Sequence, residues 1–350
     1  MPRASRQNLE IREYVLRNVA SYPASIGVRT AKKFGVSRTT VSNYTKTLIN
    51  EGLLVGSGKT NARKYILNPI AKELFSIEIN QGIEEDVVWR FRILPHMAGV
   101  KQNVVDICQY GFTEMLNNVI DHSRSKDAII SFGRNYSEIN IGIIDHGVGI
   151  FEKLQHDFNL ADPRSALLEL SKGKLTSNQL AHSGEGIFYT SRMFEKFNIM
   201  SGHLFYAKER TDNDGWLIET HDLVDYTQGT SVQMYISTDA SWTTREVFDR
   251  FQTDGLLFRR THVPITLGKY PGEQLVSRSQ AKRILARFEN FSEVMLDFRG
   301  IQQIGQPFAD EIFRVFKNSH PQTRVVVIHA NEEIKRMIEA ISASEATQPP

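Results

Sequence analysis

The chain has 350 residues, more than one ordinary domain holds, so we expect two or three domains. Hydrophobic residues make up 41% and charged residues 23%, a composition typical of a soluble globular protein. No apolar run is long enough to span a bilayer, and the N-terminal sequence lacks the apolar stretch of a signal peptide. Cys108 is the single cysteine, which excludes an internal disulfide and a cysteine-based metal site and favours a cytoplasmic protein.

Charge is distributed unevenly along the chain. Residues 1–68 hold 12 lysines and arginines against 3 acidic residues, a net charge of +9. The remaining 282 residues hold 30 against 37, a net charge of −7. A basic N-terminal part attached to an acidic body predicts that the N-terminal part binds a polyanion.

Residues 1–68 have the pattern of three helices followed by a β-hairpin. Apolar residues recur at helical spacing, Ser37 can cap the third helix, and glycines mark the hairpin tip. The predicted elements are helices at 9–19, 26–34 and 38–50 and strands at 53–55 and 64–67. Three helices and a hairpin in this order predict a winged helix-turn-helix.

The segment 28–42 resembles the helix-turn-helix of many bacterial repressors. In that family the second helix of the pair enters the major groove, led by its N-terminal residues. The resemblance implies that base edges are read by Arg38, Thr39, Thr40, Ser42 and Asn43, and that phosphates are bound by Lys46, Lys59, Arg63 and Lys64. The alternative is a small helical interaction domain with a solvated basic face, but the charge of +9 favours DNA.

Residues 104–240 contain four short polar motifs, after a bridge at 69–103 for which the sequence indicates no function. The first motif spaces Glu114, Asn118 and His122 at i, i+4 and i+8, which places them on one face of a helix. Asparagine is a poor helix former, so its presence here favours a polar role, and its oxygen suits Mg²⁺. Glu114 could activate water. Alone, the motif could equally be a solvent-facing polar stripe.

The second motif follows a predicted buried strand at 137–144. Asp145 ends that strand, and Gly147 and Gly149 come directly after it. An aspartate at a strand end can accept a hydrogen bond from an adenine amino group, and glycines let the backbone approach a flat ring. An ordinary glycine turn is the alternative interpretation.

The third and fourth motifs add a second glycine pair and a strand start. Gly184 and Gly186 precede a predicted helix at 187–194, a position that suits a phosphate chain. Thr230 begins a predicted strand after a turn. Taken one at a time, neither motif is specific.

In this order, the motifs ExxxNxxxH, DxGxG, GxG and GTxVxxxI resemble the GHKL ATPase family of gyrase, Hsp90, histidine kinases and MutL. They look most like its anti-sigma-factor serine kinases. The resemblance implies an α/β sandwich with a mixed sheet and an Mg-ATP site. The implied roles are Mg²⁺ ligand for Asn118, general base for Glu114, adenine contacts for Asp145, Gly147, Gly149 and Thr230, and phosphate-contacting lid hinge for Gly184 and Gly186.

The segment Phe151–Ala181 resembles the ATP lid of that family. Within it, Lys172 and Lys174 are interpreted as a solvated charge pair, with phosphate contact as the alternative. No histidine-bearing dimerisation helix precedes the domain, as a histidine kinase would need. His122 is therefore expected to make a structural hydrogen bond.

Residues 265–341 predict a further small α/β domain with buried parallel strands at 294–298 and 325–328. The run 296–308 resembles the STAS domain of anti-sigma-factor antagonists. In those proteins a serine after an isoleucine-led turn accepts phosphate from the partner kinase. Gly305, Gln306 and Pro307 occupy that turn here, so the acceptor hydroxyl is missing, and Asp297 and Arg299 are expected to be structural or interfacial.

The sequence thus predicts a multidomain α/β protein: a winged-helix head at 1–68, a GHKL-type ATP-binding domain at 104–240 and a STAS-like domain at 265–341. The predicted function is an ATP-responsive, DNA-binding transcriptional regulator that acts as a homodimer or binds a protein partner through its STAS-like domain. Two other functions stay open: a protein serine kinase acting on a STAS-type partner, and a MutL-like DNA-associated ATPase. The sequence specifies neither the DNA target nor the direction of regulation.

Overall fold

A computed structural model describes residues 3–58, 63–80, 82–173, 185–210, 212–219, 228–252, 259–270 and 272–346. The helices are α1 Arg3–Asn18, α2 Ile26–Phe34, α3 Arg38–Asn50, α4 Glu85–Val88, α5 Gln102–Asn118, α6 Ile150–Asp157, α7 Pro163–Lys172, α8 Gly186–Met193, α9 Thr244–Phe251, α10 Arg278–Leu285, α11 Gln306–Asp310, α12 Lys317–Ser319 and α13 Glu332–Ala346. The strands are β1 Leu54–Ser57, β2 Lys64–Leu67, β3 Ala71–Glu78, β4 Asp127–Arg134, β5 Glu138–Asp145, β6 Lys196–Ser201, β7 Leu204–Glu209, β8 Asp212–Glu219, β9 Thr230–Ser237, β10 Arg260–Pro264, β11 Glu293–Asp297 and β12 Arg324–Ile328. They form a multidomain α/β protein, as predicted.

The N-terminal part consists of α1 to α3 and the antiparallel hairpin β1–β2. Gly35 ends α2 in the left-handed conformation, with φ of 64°, which glycine adopts without strain. Ser37 caps α3, because its hydroxyl accepts a hydrogen bond from the Thr40 backbone N–H at 3.0 Å. The core of this part consists of Val15, Leu16, Val19, Ile26, Leu48 and Leu54.

The middle part is a seven-stranded sheet in the order β3-β4-β5-β9-β6-β7-β8. Every pairing between these strands is antiparallel, so the mixed sheet implied by the family resemblance is not what the chain forms. Strand β3 comes from the segment interpreted above as a bridge, and it pairs with β4 along its whole length. Its alternation of half-buried and exposed side chains is typical of an edge strand.

Helix α5 packs on β5 and β9 and carries the candidate residues Glu114 and Asn118. Gly111 lets α5 lie close to the Phe194 ring, because a Cβ atom on residue 111 would lie 2.3 Å from that ring. Buried apolar residues of α5, the sheet and the last part of the chain form one continuous core.

The last part contains the parallel sheet β10-β11-β12, which begins at Arg260 rather than at residue 265. Because its core is continuous with that of the seven-stranded sheet, the two parts are packed together. Among the residues that the structure describes, no helix is both long and apolar enough to cross a bilayer.

The N-terminal part attaches to one end of the central strands. Arg17 of α1 forms an ion pair of 3.0 Å with Asp239, just after β9, and Glu13 accepts a hydrogen bond from Tyr136, just before β5. The opposite ends of the same strands carry Asp145 and Thr230. An eight-residue strand is about 24 Å long, so the candidate site and the N-terminal part lie at opposite ends of the sheet.

Candidate functional site

Three adjacent strands end beside one another and bring together Asp145, Thr230 and Ser201. Thr230 of β9 pairs with Asp145 of β5 on one side and with Ser201 of β6 on the other. Asp145 is buried, and its Oδ1 accepts a hydrogen bond of 2.8 Å from the Gly147 N–H. Burial raises the pKa of Asp145, against the lowering effect of its hydrogen bonds to Gly147 and Thr230. We call these three residues the strand-end cluster.

The strand-end cluster fixes the start of helix α6. The Ile150 N–H donates to Ser201 Oγ at 3.0 Å and to Thr230 Oγ1 at 3.1 Å, and Ser201 Oγ donates to the Gly229 carbonyl at 2.9 Å. Gly149 precedes the helix with a φ of 78°, which disfavours any other residue. Ser201 was not predicted, because a serine that ends a strand has no distinctive spacing.

The loop at Gly147 is attached to the end of the α5 helix. A Cβ on Gly147 would lie 1.9 Å from the Ser123 carbonyl oxygen, which also accepts a 2.8 Å hydrogen bond from the Val148 N–H. Ser123 ends a π-helical turn that begins directly after Asn118. Such turns occur frequently at functional sites, and this one joins the predicted Mg²⁺ ligand to the predicted adenine loop.

Glu114 lies against the start of helix α8. A Cβ on Gly186 would lie 2.1 Å from Glu114 Oε2, so a larger residue here would displace the Glu114 carboxylate. Burial and the nearby carboxylates of Glu114 and Glu185 raise the pKa of Tyr110 on the same helix. The structure therefore brings Glu114 and Gly186 together, whereas Gly184 lies outside the described residues.

The residue predicted to bind Mg²⁺, Asn118, lies at the end of α5. Asn118 is the last residue of that helix and is half-buried, as is Glu114 one turn earlier. The described part of the chain contains no group of three or more His, Cys, Asp and Glu residues placed to hold a metal. Mg²⁺ commonly uses one or two protein oxygens, substrate phosphates and water, so the Asn118 amide oxygen suits it chemically. His122 is half-buried.

Lys172 is neither in a solvated charge pair nor available to phosphates, so both interpretations of it are wrong. The side chain is 1% exposed, and its ammonium group contacts Glu169 Oε1 at 2.5 Å and the Ala286 carbonyl at 2.8 Å. Burial lowers the pKa of Lys172, and the Glu169 carboxylate opposes this effect. The lysine is buried because α7 lies against the last part of the chain, while Lys174 is outside the described residues.

Further hydrogen bonds hold the end of α7. Thr261 of β10 donates its hydroxyl to the Lys172 carbonyl at 2.7 Å. Arg192 of α8 donates to the Ser171 carbonyl at 3.3 Å and to the His262 carbonyl at 3.5 Å. Burial lowers the pKa of Arg192 to about 10. We call Lys172, Thr261, Ala286 and Arg192 the α7 clamp, because they join the segment after the strand-end cluster to the parallel-sheet part.

The predicted DNA-binding residues occupy the surface of α3 and the hairpin. Arg38, Thr39, Asn43 and Lys46 are exposed, as are Arg63 and Lys64, and Thr40 and Ser42 are half-buried. The Thr40 hydroxyl lies 2.9 Å from Ser37 Oγ and takes part in the helix cap. Lys59 lies outside the described residues.

Comparison with known families adds one finding on the parallel-sheet part. Residues 280–335 match the model of a STAS-like domain of unknown function (DUF4325). This match agrees with the STAS-like domain predicted from the run 296–308. No curated protein matches the chain.

The turn that carries an acceptor serine in STAS domains is closed to side chains here. A Cβ on Gly305 would lie 2.8 Å from Val276 Cα, and the Gly305 N–H donates to the Leu275 carbonyl at 2.8 Å. The glycine therefore reflects local packing, and the turn has no room for a serine without movement of the backbone.

Proposed function

We propose that the protein binds Mg-ATP between the strand-end cluster and helix α5, and that the bound nucleotide controls DNA binding by the N-terminal part. The arrangement of Asp145, Thr230 and Ser201 at three neighbouring strand ends carries this proposal. Asp145 provides a buried carboxylate that can accept a hydrogen bond from the adenine amino group. Gly147 donates its N–H to this carboxylate, and Gly149 takes a φ of 78° that only glycine adopts readily, so the two glycines shape the loop beside Asp145.

The phosphates would extend toward α5 and α8. Gly186 gives helix α8 an N-terminus close to Glu114, and backbone N–H groups at a helix start favour phosphate. Asn118 would bind the Mg²⁺ that neutralises the phosphates, and Glu114 would orient or deprotonate a water molecule. These roles follow the resemblance to GHKL ATPases. The contact of the loop at Gly147 with the π-helical turn and the contact of α5 with α8 support them.

Nucleotide binding would be transmitted through the segment 150–173. Helix α6 starts in the strand-end cluster, and α7 ends in the α7 clamp on the STAS-like domain. A nucleotide that binds one arrangement of this segment better than another shifts the population toward that arrangement. The N-terminal part, attached through Arg17 and Tyr136, would respond at the far end of the sheet.

The N-terminal part supports the DNA half of the proposal. Its predicted reading helix α3 exposes Arg38 and Asn43 near its first turn, and the hairpin exposes Arg63 and Lys64. In a common mode of DNA binding, the first residues of such a helix enter the major groove, and cations of the hairpin bind the phosphates.

Calorimetric titration with Mg-ATP tests the nucleotide site. We expect wild-type protein to bind and Asp145→Asn to bind at least about tenfold more weakly, because the replacement turns an acceptor oxygen into a donor toward the adenine amino group. Asp127→Asn is the matched control, since Asp127 lies nearby at the start of β4 with a side chain that is 50% exposed. Equal affinity in wild type and Asp145→Asn would remove Asp145 from the site.

A further inference from the structure

The STAS-like domain contains a His–Asp pair beside an arginine. His329 Nδ1 lies 2.9 Å from Oδ1 of Asp297, whose side chain is fully buried, while the His329 side chain is 46% exposed. One Arg299 Nη2 lies 3.2 Å from each ring nitrogen of His329. These groups follow the C-terminal ends of β11 and β12, the edge at which parallel sheets bind ligands.

The carboxylate of Asp297 is fixed before any ligand arrives. His262 Nε2 lies 2.8 Å from its Oδ2, and the Arg299 backbone N–H donates to Oδ1 at 3.0 Å. Burial lowers the pKa of His262, which favours the neutral ring, and the Nε2–H of that ring donates a hydrogen bond to Asp297. Burial opposes the ionisation of Asp297, but hydrogen bonds from His262, the Arg299 backbone and His329 hold its pKa well below the usual range. Asp297 therefore stays ionised, and its Oδ1 accepts the Nδ1–H of His329.

We propose that His329 is a phosphoryl acceptor whose nucleophilic atom is Nε2. The hydrogen bond from the His329 Nδ1–H to Asp297 sets the tautomer in which Nε2 carries the lone pair. The arrangement of nucleophile, orienting carboxylate and exposed ring follows the geometry of activated nucleophiles. Arg299 Nη2, which only donates, lies 3.2 Å from Nε2 and has to move off its lone pair before transfer; it can then donate to the oxygens of the attached phosphoryl group.

The transfer balances with a nucleoside triphosphate as donor. The Nε2 lone pair attacks the γ-phosphorus and an N–P bond forms. The bond from the γ-phosphorus to the β,γ-bridging oxygen breaks, and the nucleoside diphosphate leaves with that electron pair. The positive charge on the ring is balanced by Asp297, which retains its hydrogen bond to Nδ1. Only the identity of this donor rests on the proposed function.

The backbone at His329 and the turn at Gly305 favour this residue over its neighbours. His329 has a φ of 53°, an uncommon conformation for a residue with a side chain, and such conformations cluster at functional sites. Gly305, in the turn that carries the acceptor in STAS domains, has no hydroxyl and no space for one. The side chain of His329 is instead accessible and supported.

Two phosphoryl donors test the proposal on the full-length protein. Phosphoramidate transfers a phosphoryl group to histidine without the help of a nucleotide site and releases ammonia. Radiolabelled Mg-ATP, by contrast, can act as the donor only if the proposed Mg-ATP site exists. We expect phosphoramidate to give an acid-labile, base-stable label on the peptide around His329, faster than on His156. His156 is the matched comparison because its side chain is 91% exposed and so is more accessible.

Variants identify the acceptor. His329→Gln should lose the label, His156→Gln should keep it, and Asp297→Asn should slow labelling because the tautomer is no longer fixed. Circular dichroism checks folding of Asp297→Asn, and exposed His329→Gln decides the question if that variant unfolds. A label that persists in His329→Gln, or labelling of His329 no faster than of His156, overturns the proposal. Labelling by phosphoramidate without labelling by Mg-ATP supports the acceptor and argues against the ATP site as its donor.

Discussion

The ammonium group of Lys172 lies 2.8 Å from the carbonyl oxygen of Ala286, across the boundary between the segment after the strand-end cluster and the STAS-like domain. Lys172 is also paired with Glu169 in a setting where both side chains are at most 5% exposed. Both residues of this pair lie on α7, and Glu169 Oε2 also lies 3.8 Å from Arg287 Nε across the boundary. Separating the two sides would take partners away from a buried ammonium group and a buried carboxylate, which costs several kcal/mol, so they cannot separate easily. If nucleotide rearranges α7 as proposed, the STAS-like domain should move with it.

Thr261→Val tests the α7 clamp. The change removes the hydroxyl that donates to the Lys172 carbonyl at 2.7 Å and leaves the side-chain shape almost unchanged. We expect the free energy of unfolding to fall by about 1–3 kcal/mol, because a buried acceptor loses its donor. We also expect a weaker ATP-induced change in hydrogen exchange across α10.

Thr323→Val is the control for that experiment. Thr323 is likewise buried in the STAS-like domain, but its hydroxyl donates to the Phe291 and Phe288 carbonyls of that domain and to none on α7. The Thr323→Val change should lower the free energy of unfolding by a similar amount, and the ATP-induced change in hydrogen exchange across α10 should stay as large as in the wild type. An unchanged response in Thr261→Val would mean that the clamp does not carry the coupling.

Asp145→Asn should separate stability from nucleotide binding. A carboxyl whose pKa is raised by folding is harder to ionise in the folded state, so its charge lowers stability above that pKa. Asparagine keeps an oxygen for the Gly147 N–H without the charge. Thermal unfolding at pH 7 should occur at or above the wild-type temperature, and the difference should shrink toward pH 4. A clearly lower unfolding temperature at pH 7 would show that the carboxylate itself stabilises the fold.

Replacing Glu114 and replacing Asn118 should have different effects on ATP binding and hydrolysis. Asn118→Ala removes the proposed Mg²⁺ ligand, so metal-dependent ATP binding should weaken. Glu114→Ala should leave ATP bound and slow any hydrolysis by about 10²–10⁴-fold, the usual range for general acid–base catalysis. Binding and phosphate release are measured on the same preparations, with Asn117→Ala as the neighbouring control. Equal turnover in wild type and Glu114→Ala would leave Glu114 a packing residue and make the protein an ATP sensor.

The N-terminal part should bind DNA through two kinds of cation. Arg38→Ala should cost about 1–3 kcal/mol and relax sequence selectivity if Arg38 reads a base. Lys64→Ala should weaken all sequences alike and reduce the salt slope by about one. Arg245→Ala on α9, with a side chain 89% exposed, should change neither property. Absence of DNA binding at low salt would make the N-terminal part a protein-docking module.

Features fixed by neighbouring residues could be predicted from the sequence. The bounds of α2 and α3 match the prediction because Gly35 and Ser37 are local stop and start residues. Asp145 was correctly placed at a strand end because apolar alternation over the preceding residues identifies a buried strand. The parallel strands after residue 290 were likewise marked by short apolar runs.

Features fixed by distant residues could not be predicted in this way. Strand β3 depends on pairing with β4, whose paired residues lie 49 to 63 positions further along the chain, and its edge position leaves only a weak alternation. Lys172 resembles a surface lysine until Ala286 and Thr261 cover it. Ser201 joins the site only because β6 lies beside β9, and sequence spacing carries no record of that neighbour.

DNA affinity of the full-length protein, measured with Mg-ATP, with ADP, with a non-hydrolysable analogue and without nucleotide, tests the central claim most directly. We expect wild-type affinity to differ between the ATP and nucleotide-free states by at least about fivefold, the lower end of ordinary allosteric coupling. The analogue should reproduce the ATP state, and Asp145→Asn should show no nucleotide effect while binding DNA normally. The same DNA affinity in all four conditions for the wild type would contradict the account.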